Sequence, residues 1–496
     1  MLLDFSRTVL LCGLTLPLAW AKPAAYEQSG NARSCCKEVE RSLGSLLYYP
    51  EAEQYKSSLD SYWSDQASSL KPNCIVTPKN TKDVSKAVKT LVKNPSCKFA
   101  IRSGGHTAWA GSNNIDGGVT IDLQALNGIS LSKDKAVASI GPGARWGQVY
   151  TKLDTEGVAV VGGRVETVGV GGLIMGGGSS FFSPRYGLAC DSVKNFEVVL
   201  AAGEVTDVNE AKHPDLFRAL KGGSNNLALV TRFDVFAFRQ GNIWGGTIVT
   251  PFETVSESTD AFVDFTDSMD KDPYAAYNQF WSYNATDGQS SIIHLLGYTK
   301  PVVDPAPYKK ITAIKPQLAN TMQVASLGTV VHDISPKVYP AQNLFITTTF
   351  QNTADNIAQA WKISSDVMKP LQSDFQVFYY PWPRRFADLG RERGGNVLGL
   401  ERFEKNNVVV LLSLGWSDPA DNNRFDRAAN EVIRRLDAYT RRKGTATDYI
   451  YLNYANKGQD PIGAYGKENV RLLKKVAQKF DPSGVFQRQV PGGFKL

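Results

Sequence analysis

The residues best suited to chemistry in this 496-residue chain are a histidine and the glycine pair before it, in the run Arg102-Ser103-Gly104-Gly105-His106. Only glycine lets a turning backbone bring its N–H groups close to a phosphate, so such a run can cradle an anionic ligand. A longer glycine stretch follows, Val168-Gly169-Val170-Gly171-Gly172-Leu173-Ile174-Met175-Gly176-Gly177-Gly178. Neither is a P-loop, because no Gly-Lys-Ser/Thr follows. Neither has the strand-turn-helix setting and later acidic residue of a dinucleotide fingerprint. Alone, they support a phosphate-bearing ligand or a set of tight turns, and His106 alone reads equally as a turn residue. Far along the chain come Tyr451, Asn453 and Tyr454. A phenol titrates near 10, so a tyrosine acts as a base only beside positive charge. If this segment is a strand, Tyr451 and Asn453 share one face and Tyr454 takes the other.

The elements that must position these groups follow from periodicity. Residues 35–65 read as a helical segment ending in Tyr62-Trp63. A short strand at Asn73–Val76 precedes a helix patterned by Val84, Ala87, Val88, Leu91 and Val92, and Phe99–Arg102 is a second strand. Further strands fall at Val119–Leu123, Ala138–Ile140 and Val230–Phe236, and this unit closes near Phe238. From 240 the texture changes. Strands at 245–249, 292–296 and 407–412 alternate with helices around 255–270, 353–369 and 421–442, which suggests a second sheet covered on one face. A helix is expected from Lys467 to Phe480, stopping at Asp481-Pro482.

Charged residues are 21% of the chain and hydrophobic ones 42%, the balance of a globular protein. The net charge of +7 is dispersed, with no basic block, so no nucleic-acid partner is expected. Arg7, the apolar run Val9–Leu18 and Ala19-Trp20-Ala21 read as a secretory signal over residues 1–21. No later apolar run is long enough to suggest a membrane span. Cys35, Cys36, Cys74, Cys97 and Cys190 remain, allowing two disulfides and one free thiol, with Cys35 or Cys36 reaching Cys74 or Cys97. No metal site is expected. Asn284-Ala285-Thr286 is a glycosylation sequon and calls for a surface position.

The order of the motifs carries a resemblance. Arg102 to His106 with Ala110-Gly111, then Gly162-Gly163-Arg164-Val165-Glu166-Thr167-Val168-Gly169-Val170-Gly171-Gly172, are similar to the two flavin loops of the vanillyl-alcohol oxidase and berberine-bridge-enzyme-like FAD-linked oxidoreductases. Gly176 to Ser180, Tyr186 to Asp191, Leu220 to Val230, Tyr451 to Asn456, Tyr465-Gly466 and Phe480-Asp481-Pro482 continue it, as in secreted fungal members. The resemblance implies an α+β fold: a bipartite PCMH-type FAD-binding domain at 70–240 after an N-terminal helical segment at 22–69. A substrate domain with an antiparallel β-sheet and flanking helices spans 241–440, and 441–496 returns to the flavin. It implies FAD bonded covalently to His106, and cofactor contacts from Arg102, Ser103, Gly104, Gly105, Thr107, Gly111, Thr167, Val168, Gly169, Gly172, Gly176, Gly177, Val230 and Asn453. Some relatives add a cysteine tether, but the matching position is Val165, so one bond is expected. The matching position for the carboxylate that relatives place on a roof strand is Val409, which leaves Tyr451 and Tyr454 as the catalytic candidates. Phe378, Tyr379, Tyr380 and Trp382 are candidate aromatic roof residues, and His294 faces either flavin or solvent. The implied activity is a monomeric, secreted oxidase passing electrons from a small molecule, foremost a secondary-metabolite intermediate, to O2. The alternatives are an oligosaccharide oxidase making lactones, a non-redox cyclase, and a non-catalytic binding protein.

Overall fold

The computed structural model describes residues 30–337 and 341–496, so the signal expected at 1–21 lies outside the described residues. The chain opens with helices Gly30–Leu43 and Glu53–Asp60. Strands Cys74–Val76, Val119–Asp122 and Phe99–Arg102 run parallel in a four-stranded sheet, with Leu47–Tyr48 antiparallel at its edge. Parallel strands need a crossover, and the helix Thr81–Leu91 lies between two of them in the chain. Asn80 caps it by accepting from the Asp83 amide, and Val84, Ala87, Val88 and Leu91 are buried at the spacing the sequence predicts.

Two disulfides, Cys35–Cys97 and Cys36–Cys74, tie the first helix to this unit, while Cys190 is a buried free thiol. Burial pushes the Cys190 thiol well above its ordinary range, so it is inert. A second, antiparallel sheet is built around the long strand Leu229–Arg239, which pairs with Val137–Ile140, Val158–Val160 and Val193–Val199.

The third sheet is antiparallel and has eight strands. Its central order is Ile243–Pro251, Ser290–Tyr298, Ala275–Tyr283, Phe375–Trp382, Asn407–Trp416 and Gln342–Gln351. Helices Val255–Ser268, Ala354–Met368 and Asn422–Lys443 are the long helices of this region, and side chains alternate between the face they cover and the opposite one. His294 is on the helix-covered face. It is fully buried and hydrogen-bonded to Tyr277 Oη at 2.7 Å, and burial pulls it down to about 3. It therefore faces neither flavin nor solvent, and is a satisfied core histidine. Asn284 is exposed, as its sequon requires, and no helix among the described residues is long and apolar enough to cross a membrane.

Candidate active site

The strand Phe99–Arg102 delivers the chain into the first glycine loop. The Arg102 side chain lies beneath Gly105 of that loop, is fully buried, pairs with Asp122 at 3.3 Å and lies 3.7 Å from the Tyr62 ring centre. It also donates to the Ser58 carbonyl and to Ser61 Oγ. The Arg102 side chain thus clamps the N-terminal segment onto the sheet. Ser103 Oγ likewise serves the scaffold, donating to the Pro142 carbonyl at 2.5 Å, and the Thr107 carbonyl accepts from Ser64 Oγ.

Gly104 explains why the two glycine loops meet. A Cβ there would lie 2.4 Å from Gly169 Cα, and one on Gly169 would lie 2.6 Å from Gly104 Cα. Any side chain at either position forces the loops apart. Gly105 at φ +68° and Gly111 at φ +90° have backbones that favour glycine, and Gly111 and Gly172 have open space where a side chain would stand. Val168 is held through its carbonyl by the Trp146 amide, and Val230 is buried in the second sheet.

His106 sits where these loops join. Its ring stacks on Trp63 with centroids 4.6 Å apart, and Nε2 is 3.2 Å from Thr167 Oγ1. Burial, reinforced by the nearby Arg145 guanidinium, holds the imidazole down at about 3, so the ring is neutral at any ordinary pH. Arg145 also fixes the second loop, donating to the Thr167 carbonyl at 2.5 Å.

The segment expected as a strand at 451–454 is a 3-10 turn, Leu452–Tyr454, and its side chains diverge accordingly. Tyr451 is buried. Its Oη accepts from the Ser179 amide at 2.9 Å, and burial pushes the phenol well above its usual value, so it stays protonated. Asn453 donates to the Leu173 carbonyl at 3.1 Å, while its Oδ1 is buried without a partner, 2.6 Å from where a Gly176 Cβ would stand. Gly177, with φ +118°, packs between Leu398 and Tyr451. The turn thus clasps the second glycine loop from outside. Tyr454 differs: its Oη accepts from Arg164 Nη2 at 3.2 Å.

The helix-free face of the third sheet roofs this cluster. Phe378 and Tyr380 stack with planes 4° apart, and Tyr380 lies 5.0 Å from Tyr454 by ring centroid. The Arg164 guanidinium carbon is 5.0 Å from the Tyr380 ring centre. Trp382 meets Tyr451, whereas Tyr379 points to the helix-covered face against Trp281 and Phe262, which removes it from the roof. Val409 pairs with Tyr380 in register and shares its face, so an apolar side chain stands on the roof beside Tyr380. A continuous aromatic wall runs from His106 through Trp63, Phe345 and Tyr454 to Tyr380. Arg164, Trp63, Phe345 and Arg145 were not singled out by sequence. Only Arg164, inside the second loop motif, carried a usable signal.

These residues suit a flavin dinucleotide. The glycine loops expose backbone at Gly111 and Gly172, and the orphaned Asn453 Oδ1 can accept from a ring N–H. Residues 72–209 match the FAD binding domain family. An FAD-dependent monooxygenase of Emericella nidulans is 42% identical over 473 residues, covering 93% of this chain and 98% of that protein. Another from Aspergillus calidoustus is 37% identical, covering 93% and 90%. Among solved structures, 6-hydroxy-D-nicotine oxidase of Arthrobacter nicotinovorans superposes with TM-score 0.73 at 22% identity, covering 89% of this chain and 96% of that one. A xylooligosaccharide oxidase of Myceliophthora thermophila gives 0.72 at 19% identity, covering 92% and 99%.

Proposed function

The chain belongs to the FAD-dependent monooxygenases, and is thereby an FAD-dependent oxidoreductase; from that premise we propose that it oxidises a small aromatic metabolite by two electrons, with FAD tethered to His106 and O2 as acceptor. The observation that carries this reading is the Arg164–Tyr454 hydrogen bond beneath the aromatic roof. That bond fixes the Tyr454 hydroxyl beneath the roof, which makes it the group placed to exchange a proton with a substrate hydroxyl or amine. Tyr451, held protonated by burial, positions the second glycine loop through Ser179. Phe378 and Tyr380, backed by the buried Trp382, form an aromatic roof that suits a planar substrate and excludes water. FAD, when bound, would supply the two-electron acceptor beneath this roof, with O2 to reoxidise it.

His106 is a neutral nucleophile at working pH, as a tether requires. His106 would hold FAD through a bond from its ring nitrogen to the flavin 8α-methyl carbon, an oxidative attachment for which O2 would be the two-electron acceptor. Two disulfides support operation in an oxidising secretory compartment.

A second reading, oligosaccharide oxidation, is favoured by one observation. A cleft of about 530 Å³ at the edge of the roof sheet is lined by Trp109, Trp416, Gln66, Asn343, Asn422 and Asn456, the mixture of aromatic and amide groups that a sugar chain needs.

Tyr454→Phe tests the main reading. It is expected to lower kcat about 10²- to 10⁴-fold with flavin content unchanged, whereas Tyr451→Phe, costing one hydrogen bond of about 1 kcal/mol, lowers it far less. Equal losses in the two variants would remove Tyr454 as the base. H2O2 formed in step with product supports the oxidase. Label from ¹⁸O2 in the product without H2O2 would replace it with the oxygen insertion that the relatives' name describes.

A further inference from the structure

The cations around the glycine loops are nearly all engaged. Arg102 is paired with Asp122, Arg145 is bound to the Thr167 and Ser61 carbonyls, and Arg164 is bound to Tyr454. Arg145 and Arg164 thus have neutral partners, and so has Lys495 on the C-terminal segment. Its Nζ donates to two neutral acceptors, Asn225 Oδ1 at 3.2 Å and the Phe486 carbonyl at 3.0 Å, and no carboxylate among the described residues forms a salt bridge with it. A partly buried ammonium with no opposing charge is costly.

The segment that carries it, Pro491–Leu496, is wedged between two parts of the FAD-binding unit. On one side a Cβ on Gly492 would lie 2.2 Å from the Gly111 carbonyl oxygen and 2.4 Å from that of Ser112, and Phe494 packs edge-on against Trp109 at 5.6 Å. These residues directly follow the His106 loop. On the other side Asn225 Nδ2 donates to the Gly492 carbonyl at 3.0 Å, and Asn226 Nδ2 to the Phe494 carbonyl at 2.8 Å. Asn225 and Asn226 lie in the turn that leads into the strand Leu229–Arg239.

FAD brings a diphosphate with two negative charges. Glycine N–H groups solvate these charges but do not neutralise them. We propose that Lys495, presented by the wedged segment, supplies the counter-charge to the FAD diphosphate. The proposal rests on FAD binding and not on the His106 tether. Burial alone, with no opposing charge, pulls the Lys495 ammonium down to about 7, as expected of a cation whose anionic partner is a ligand.

The test uses the full His106→Ala chain, from which FAD can dissociate, with and without a change at Lys495. Dissociation constants for FAD and for riboflavin, which lacks the diphosphate, are measured by flavin fluorescence over a range of salt. Lys495→Gln is expected to weaken FAD about 10- to 100-fold, to flatten the salt dependence, and to leave riboflavin within about twofold. Lys495→Arg restores most of the FAD affinity. Unchanged FAD affinity in Lys495→Gln overturns the proposal, and so does an equal loss for FAD and riboflavin, which would mean that the segment only shapes the pocket. An unchanged melting temperature of the flavin-free Gln variant excludes misfolding as the cause. Failure of the tether is visible elsewhere, as flavin released by acid from the unsubstituted chain.

Discussion

At the scale of single residues, His106 and Tyr454 take separate parts in the proposed reaction. Desolvation and Arg145 keep His106 neutral, which suits bond formation through a ring nitrogen. Arg164 donates to Tyr454 and fixes its hydroxyl beneath the roof. The tether makes a sharp prediction. Acid-precipitated native protein is expected to keep its yellow colour in the pellet, and His106→Ala to release all of it to the supernatant. A colourless native pellet would mean that FAD is held by non-covalent contacts alone. The resemblance pointed to His106 by its place after Gly104-Gly105, and the loop contact between Gly104 and Gly169 gives that place its physical reason. Sequence could not show how the Arg102 side chain is used: a buried guanidinium must be paired, and Asp122, Ser58 and Ser61 supply its partners beneath Gly105.

At the scale of elements, strongly periodic segments were legible. The helix at Lys467–Phe480 begins and ends where its pattern does, and the strand faces of the roof follow from alternation once one contact is known. The segment Tyr451–Tyr454 was not legible. Its aromatic composition suits a strand, but Tyr451 and Asn453 bond the second glycine loop, and these tertiary hydrogen bonds favour a tight turn over local propensity. That loop is also held from its exposed side. Glu166 Oε2 is 2.8 Å from His332 Nδ1, and Glu166 Oε1 is 3.3 Å from Lys337 Nζ, joining the loop to the helix Leu327–Ile334. Partial burial opposes the charge on Glu166, but the bonds from His332 and Lys337 outweigh it and hold the carboxyl below its usual range. A depressed carboxyl stabilises the fold above its unfolded value of about 4.3, and this is lost as pH falls through the lower folded value. Glu166→Gln is therefore expected to cost up to about 1 kcal/mol at pH 6. The difference from the native chain closes on acidification, as followed by thermal unfolding. A gap independent of pH would show that packing, not charge, holds the loop.

At the scale of the whole molecule, the first helix is stapled to the flavin unit by adjacent cysteines that bridge in different directions. Cys35–Cys97 closes a separation of 62 residues and Cys36–Cys74 one of 38. Between them run the residues that complete the flavin site from outside the glycine loops: Ser58 and Ser61 on Arg102, Tyr62 over its guanidinium, and Trp63 on the His106 ring. Constraining that segment therefore stabilises the fold and orders the site together. Chain entropy alone assigns about 4 kcal/mol to each closure, an upper limit because the two loops overlap. Replacing Cys36 and Cys74 together by serine is expected to lower the melting temperature by up to about 4 °C, and reductant is expected to bring the native chain down towards the variant. Trp63 fluorescence cannot be isolated among nine tryptophans, so the coupling to the site is read instead from how quickly acid-stable flavin accumulates when FAD is added to flavin-free protein. If staple and site are one unit, the serine variant accumulates it more slowly at temperatures well below its own melting point. An unchanged rate there would confine the disulfides to global stability and leave the alignment of Trp63 and His106 to the sheet beneath them.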